Sequence, residues 1–201
     1  MENQVEQCWE KFLNPEILRA NLISASLFIT SYELLKDSII HEIKSFYTLG
    51  DDDPDLREGY EKEVLALDKK RKALPASIAW LKEAEAIDSD DEKVIIELTD
   101  HRNKLAHGLV EFLSESGKEV ELARLETLVA LVAKIDRWWI MNFELAIRKD
   151  IDPNKVDPNR TASGRMIILQ MLLQTATATD STELYHKFLG LRAKQDKQPA
   201  I

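Results

Sequence analysis

A long run of apolar residues at helical spacing, near the start of the chain, restricts the possible folds more than any other part of the sequence. Its members follow one another at intervals of three and four residues: Phe28, Tyr32, Leu35, Ile39 and Ile43. That spacing places them on one face of an α-helix. Pro15 suits the first turn of this helix, and Gly50 suits its end. We therefore predict one long helix that packs against several neighbours.

The rest of the chain repeats the helical pattern and shows no sustained strand alternation. Further helices are predicted over 3–13, 74–84, 89–112, 118–148 and 162–178, with a weaker one over 181–193. Gly and Pro number six each in 201 residues, too few for an all-β protein with many tight turns. The sequence predicts an all-α fold, namely an antiparallel helical bundle over residues 1–150 with a C-terminal helical extension over 151–201.

Local patterns add detail to this outline. The charged stretch 56–72 fits either an exposed helix or a mobile segment. Ser89 and Glu92 have the spacing of a capping box, which predicts Ser89 as the N-cap of the helix after it. The wide apolar arcs of the two longest helices predict a homodimer, with the 90–110 helix near its interface.

Composition narrows the functional classes. A net charge of −9 argues against general nucleic-acid binding, because phosphate neutralisation supplies most non-specific affinity, so any nucleic-acid chemistry must be local. The single cysteine, Cys8, excludes a disulfide framework within the chain, and the four histidines lack metal-ligand spacing, so we expect no cofactor and no metal. The N-terminus has no basic leader, and no stretch is apolar enough for a membrane span. We therefore expect a cytoplasmic protein without membrane contact.

One polar stretch of the 89–112 helix carries the candidate chemistry. Arg102 falls inside the apolar stripe of this helix, where a guanidinium needs a carboxylate, backbone carbonyls, a cleft or a bound anion. Asn103 and His107 are one turn apart on another face. About 140° separates Arg102 from His107 on a straight helix. One chain can present both to a small ligand only if the helix ends or distorts near Gly108; otherwise a second chain must complete the site.

The stretch Arg102-Asn103-Lys104-Leu105-Ala106-His107-Gly108 resembles the signature of the HEPN superfamily, which is an Arg and a His a few residues apart, often with Asn after the Arg and Ala before the His. The resemblance covers about residues 18–148 and implies an active cleft at the interface of a homodimer. Many members are metal-independent endoribonucleases, often toxins of toxin–antitoxin or phage-defence systems. Others have lost catalysis and serve as binding or assembly modules.

This resemblance also implies roles for individual residues. Arg102 would hold the scissile phosphate of a single-stranded RNA and stabilise its developing charge. His107 would transfer protons around the ribose 2′-hydroxyl and the leaving oxygen, and Asn103 would orient the phosphate or His107. A toxin of this kind would have a cognate antitoxin or another regulatory protein as its partner.

Other interpretations stay open beside this one. The pattern Leu27-Phe28-Ile29-Thr30-Ser31-Tyr32-Glu33-Leu34-Leu35 resembles a helix of the mannitol operon repressor family, which implies a non-catalytic interaction module or a transcriptional co-regulator. A nucleotide-binding accessory protein is a third possibility. The purely structural alternatives are a helix-dipole interaction for His107 and a buried ion pair for Arg102, with one of three carboxylates as its partner: Glu42, Glu97 or Asp136.

Overall fold

The computed structural model describes residues 2–48, 59–115, 120–148, 151–152 and 155–177, which form an all-α helical bundle. Its α-helices in chain order are α1 Glu2–Leu13, α2 Pro15–Thr48, α3 Ala73–Glu83, α4 Ser89–His107, α5 Leu109–Ser114, α6 Leu122–Trp139, α7 Leu145–Ile147 and α8 Gly164–Thr177. These described ranges contain no β-strand, and the predicted fold class is confirmed. The predicted helix over 181–193 and the predicted helix end at Gly50 lie outside them.

The central helix of the bundle is α2, and the stripe predicted from the sequence forms its buried face. Six side chains of this face are buried: Ala25, Phe28, Tyr32, Leu35, Ile39 and Ile43. Complete burial of one large apolar side chain contributes about 1.5–3 kcal/mol to stability. This face packs against α3, α4 and α6, so α2 positions the residues of the candidate site that lie on α4.

A cluster of aromatic rings joins the C-terminal part of α2 to α3 and α6. The rings of Trp80 and Trp139 stack with their centroids 5.8 Å apart. Phe46 and Phe143 pack against Trp139 at centroid distances of 6.1 and 4.9 Å. Aromatic pairs of this kind contribute about 0.5–1.5 kcal/mol beyond the area they bury. Phe143 lies in a π-helical turn, Ile140–Glu144, through which the chain passes from α6 into α7.

A capping box starts α4, but it lies one residue earlier in the chain than the sequence predicts. Its N-cap is Asp88, whose carboxylate accepts hydrogen bonds from the backbone N–H groups of Asp90 and Asp91 at 2.9 Å. Asp91 in turn accepts a bond from the Asp88 N–H, so the prediction of Ser89 and Glu92 for these roles is wrong. Asp and Ser are about equally good N-caps, so spacing alone does not distinguish the two registers.

The sequence left open whether the helix predicted over 89–112 is interrupted at Gly108, and the structure shows that it is. α4 ends at His107, and α5 begins directly after Gly108. The φ of Gly108 is −115°, so its backbone is not in the left-handed region. A Cβ atom at this position would lie 3.1 Å from the carbonyl oxygen of Lys104, which is a tight contact. The glycine therefore allows the chain to pass close to the last turn of α4.

The charged stretch 56–72, described from residue 59 onward, is not one continuous helix. Tyr60–Val64 forms a π-helical turn and Leu65–Leu67 a 3₁₀ turn. The side chains of Tyr60 and Val64 are buried in the core. Two apolar residues therefore anchor a segment whose charges are exposed.

The first α-helix of the predicted extension is α8, which follows a 3₁₀ turn at Pro158–Arg160 and corresponds to the predicted helix over 162–178. α8 packs against α2 and α6 through the buried side chains of Met166 and Leu169. The division of the chain at residue 150 stays a prediction. In the part of the chain that the structure describes, no helix is both long enough and apolar enough to cross a membrane.

Candidate functional site

Arg102 is held where α4 crosses α2, and it remains partly open to solvent. Its Nη2 atom donates a hydrogen bond to Oε1 of Glu33, and the two side chains are 29% and 41% exposed. The guanidinium carbon lies 5.7 Å from the centroid of the Tyr32 ring, a cation–π distance. The hydroxyls of Tyr32 and Thr99 are hydrogen-bonded at 2.9 Å, which fixes the ring against α4. A carboxylate and an aromatic ring therefore position this guanidinium at the surface.

Glu33 is shared between two cations. Its Oε1 atom accepts from Arg102, and its Oε2 atom lies 3.2 Å from Nζ of Lys36, one turn further along α2. Burial on its own would raise the pKa of Glu33. The hydrogen bonds and charges of Lys36 and Arg102 outweigh that effect and hold the pKa of this carboxyl below its usual value. The carboxylate is therefore ionised at neutral pH with a cation on each oxygen.

The other predicted site residues lie on the exposed side of α4. Oδ1 of Asn103 accepts a hydrogen bond from Nη1 of Arg102 at 3.3 Å, so these two residues are in contact. His107 is exposed in the last turn of the helix. Because α4 stays helical through His107, this side chain projects about 140° away from Arg102. The break at Gly108 comes too late in the chain to bring the pair together.

His101 has a packing role, as its place at the edge of the apolar stripe indicates. Its ring meets the Phe28 ring edge-to-face, with the centroids 4.8 Å apart. Partial burial lowers the pKa of His101, and the nearby charge of Arg124 lowers it further. This histidine is therefore neutral at neutral pH and belongs to the α2–α4 contact.

An open groove runs along the surface of α2 from the Arg102–Glu33 pair. It has a volume of about 240 Å³, and one helix supplies all of its lining residues: Glu33, Lys36, Asp37, Ile40, His41 and Lys44. At its far end the Nζ atom of Lys44 lies 5.5 Å from the centroid of the Tyr60 ring. Glu33 lies both in this groove and in the ion pair, so the groove and the candidate site are continuous.

A second polar cluster is buried more deeply, and it contains two of the carboxylates that the sequence offered as partners of Arg102. Asp136 is 3% exposed and accepts hydrogen bonds from Nη1 of Arg165 at 2.6 Å and from Oγ of Ser38 at 2.5 Å. The Nη2 atom of the same Arg165 lies 2.5 Å from Oε1 of Glu42. Asp136 and Glu42 therefore form ion pairs with Arg165, and these pairs link α8 to α2 and α6. Their predicted pairing with Arg102 is wrong.

Glu97, the third predicted partner of Arg102, is an exposed residue of α4, whereas the observed partner is Glu33 on α2. Sequence reasoning missed both Glu33 and Lys36, because the contact joins residues 69 positions apart and depends on how two helices cross. A weak signal was present. Glu33 and Lys36 are an oppositely charged i,i+3 pair at the edge of the apolar stripe of α2.

The described residues include no cluster of three or more His, Cys, Asp or Glu side chains placed to hold a metal ion. Comparison with known proteins gives no further guide to the site, because no family model, no curated protein and no solved structure matches this chain. A function for this chain must therefore be inferred from the geometry around Arg102.

Proposed function

We propose that this chain is a metal-independent endoribonuclease of the HEPN type, which acts as a homodimer on single-stranded RNA. The observation that carries the proposal is the partial exposure of Arg102. Its guanidinium contacts Asn103 and lies in an open ion pair at the protein surface, on the helix whose last turn carries the exposed His107. An arginine that served only the core would be sealed there with its partner, as Arg165 is with Asp136.

The proposed chemistry is a transfer within the RNA strand. The 2′-oxygen of one ribose attacks the adjacent phosphorus, and the bond from phosphorus to the 5′-oxygen of the next nucleotide breaks. A histidine takes the proton of the 2′-hydroxyl, and a protonated histidine gives a proton to the departing 5′-oxygen. Arg102 stabilises the charge that develops on the phosphate. The products are a 2′,3′-cyclic phosphate and a 5′-hydroxyl.

Two copies of the chain are needed for this arrangement. Arg102 and His107 of one chain project in different directions, so one copy does not offer both to the same phosphate. An interface between two α4 helices supplies the missing residue from the other copy.

An exposed apolar patch next to His107 supports such an interface. Val110 is 70% exposed three residues after His107, and Trp9 of the neighbouring helix α1 is 58% exposed. These two residues line one apolar depression of about 290 Å³ together with Cys8 and Phe12. Exposed apolar patches of this kind mark contact surfaces. A second copy seated here would bring its own α4 close to His107.

The alternative is a non-catalytic interaction module or co-regulator on the same fold. One observation favours it: the guanidinium of Arg102 is already hydrogen-bonded to the carboxylate of Glu33. On this alternative the ion pair is a structural link between α2 and α4, and the exposed His107 has no chemical role.

A cleavage assay separates the two functions. Wild type, Arg102→Ala, His107→Ala and the control Lys93→Ala, an exposed residue at the other end of α4, are incubated with single-stranded RNA in excess EDTA. We expect wild type and the control to cut the RNA and to leave 2′,3′-cyclic phosphate ends, detected by mass spectrometry. We expect each site variant to lose about 10²–10⁴-fold in rate. A folded wild type that never cuts, or a His107→Ala protein as active as wild type, contradicts the nuclease.

A further inference from the structure

The groove along α2 contains an arrangement that the proposed catalytic residues do not explain. Arg102 and Lys36 approach the same carboxylate from two sides, each bound to a different oxygen of Glu33. Arginine and lysine side chains bind the oxygens of a phosphate in the same manner, by charge-assisted hydrogen bonds from two directions. The Glu33 carboxylate therefore lies where an anionic oxygen pair would be bound.

We infer that Arg102 and Lys36 form a binding site for a backbone phosphate of single-stranded RNA, and that Glu33 occupies this site when no RNA is bound. The inference rests on the proposed function for its ligand, and it adds Lys36 as an RNA-binding residue and Glu33 as an internal competitor. Two cations and one carboxylate leave one positive charge in excess at this point.

The exposure of the three side chains allows the exchange. Glu33 is 41% exposed and Lys36 is 44% exposed, so water reaches both partners and screens their attraction. Pairs of this kind contribute little to stability. A phosphate that displaces the carboxylate keeps both cations paired, while Glu33 returns to solvent. The fold of the α2–α4 contact does not depend on this pair, because Tyr32 and His101 pack there independently.

The groove also provides side chains that can bind the RNA strand beyond the phosphate held by Arg102 and Lys36. Lys44 lies eight residues after Lys36, which is about 12 Å along the helix axis. Its ammonium group is held against the Tyr60 ring, and the exposed His41 lies between the two lysines. Asp37, the other acid of the groove, lies 3.4 Å from Nη2 of Arg165, a guanidinium that it shares with Glu42 and Asp136. A short single strand can therefore run along α2 from Arg102 to Lys44.

A binding experiment tests this site separately from catalysis. The probe is a fluorescein-labelled single-stranded RNA with 2′-O-methyl groups throughout, which lacks the 2′-hydroxyl and so cannot be cleaved by the proposed route. Fluorescence anisotropy gives the dissociation constant at several salt concentrations for wild type, Glu33→Gln and Lys36→Ala. The matched controls are Asp90→Asn and Lys93→Ala, which alter another exposed i,i+3 pair, 2.8 Å apart, on α4.

The two groove variants are expected to move in opposite directions. Glu33→Gln removes the competing charge but keeps an oxygen that can accept from Arg102, so the RNA should bind about two- to fivefold more tightly. Lys36→Ala removes one phosphate contact, so binding should weaken. The slope of log affinity against log salt should also fall by about 0.7. The controls should bind as wild type does, and circular dichroism should show all variants folded.

Several results would overturn the inference. Weaker or unchanged binding by Glu33→Gln would show that the carboxylate is not a competitor, and an unchanged Lys36→Ala would remove Lys36 from the site. A wild type that does not bind the probe overturns the inference together with the nuclease. A wild type that binds the probe but never cuts unmodified RNA contradicts the nuclease alone. Cleavage by wild type with no change in binding by the two groove variants contradicts the groove site alone.

Discussion

The guanidinium of Arg102 meets the carboxylate of Glu33 across the contact of α4 with α2, although 69 residues separate them in the chain. Both side chains are partly exposed. The structure contains a second arginine–carboxylate pair of the opposite kind, because Arg165 is 14% and Asp136 3% exposed. The difference in burial between these two pairs leads to different predictions for the loss of each arginine.

Arg102→Ala should leave the protein almost as stable as wild type. The carboxylate of Glu33 keeps its contact with Lys36 and with water, so no charge is left buried without a partner. We expect the free energy of unfolding to fall by about 1 kcal/mol or less, measured by urea denaturation. A loss of 3–5 kcal/mol would mean that the pair is a structural element, and would favour the non-catalytic module.

Arg165→Met should be far more damaging. It leaves Asp136 buried with two serine hydroxyls as its remaining hydrogen-bond donors, Ser38 and Ser163. We expect a loss of about 3–5 kcal/mol in the free energy of unfolding, because an unpaired charge stays in a buried site. The control Arg124→Ala, which breaks the exposed pair with Glu121, should change stability by about 1 kcal/mol or less.

A second variant tests the cause of that loss. Combining Arg165→Met with Asp136→Asn removes the buried charge as well as its partner. The double variant should recover part of the lost stability. A double variant less stable than Arg165→Met would show that the packing of α8, rather than the charge of Asp136, accounts for the effect.

The cap of α4 should give the protein an acid-sensitive component of its stability. Backbone hydrogen bonds from Asp91 and Asp90, together with Lys134, lower the pKa of Asp88 from an ordinary value of 3.8 to about 2. A lowered pKa in the folded state stabilises the protein above the unfolded value, and this contribution is lost as pH falls from about 4 to about 2.

Asp88→Asn keeps an oxygen for the cap but has no charge to titrate. We expect this variant to unfold at lower urea concentration than wild type near pH 7, and the two midpoints to converge near pH 2. Urea denaturation from pH 2 to pH 7 measures the difference. A constant gap between the two proteins over this range would contradict the role of the Asp88 charge.

The buried stripe of α2 could be predicted from the sequence because the spacing of its apolar residues is set within a single helix. The break at Gly108 was left open, because a glycine can either end a helix or be tolerated inside one. The partner of Arg102 could not be predicted, because Glu33 reaches it only through the crossing of two helices. The N-cap of α4 was predicted one residue too late in the chain, because Asp88 and Ser89 are both good capping residues. The ion pair between Arg165 and Asp136 was not predicted, because it depends on how the C-terminal extension packs against the bundle.

The apolar patch around Val110 should control assembly. Val110→Asp places a charge in the proposed interface, whereas Ile147→Asp places one at another exposed apolar residue, 69% exposed at the end of α7. We expect light scattering to give twice the 23.1 kDa chain mass for wild type and for Ile147→Asp, and the mass of one chain for Val110→Asp. A dimeric Val110→Asp protein, or a monomeric wild type at micromolar concentration, contradicts this interface.

Mixed dimers test whether one active site draws on two chains. Arg102→Ala and His107→Ala are each expected to be inactive as homodimers. When the two proteins are mixed and allowed to exchange subunits, about half of the dimers contain one copy of each. Such a dimer retains one arginine and one histidine, so part of the cleavage activity should return, with a rate that rises as exchange proceeds. Subunit exchange is followed separately by mass spectrometry with one protein isotopically labelled. Complete exchange without any return of activity would mean that a single wild-type motif, or both histidines together, is required for the reaction.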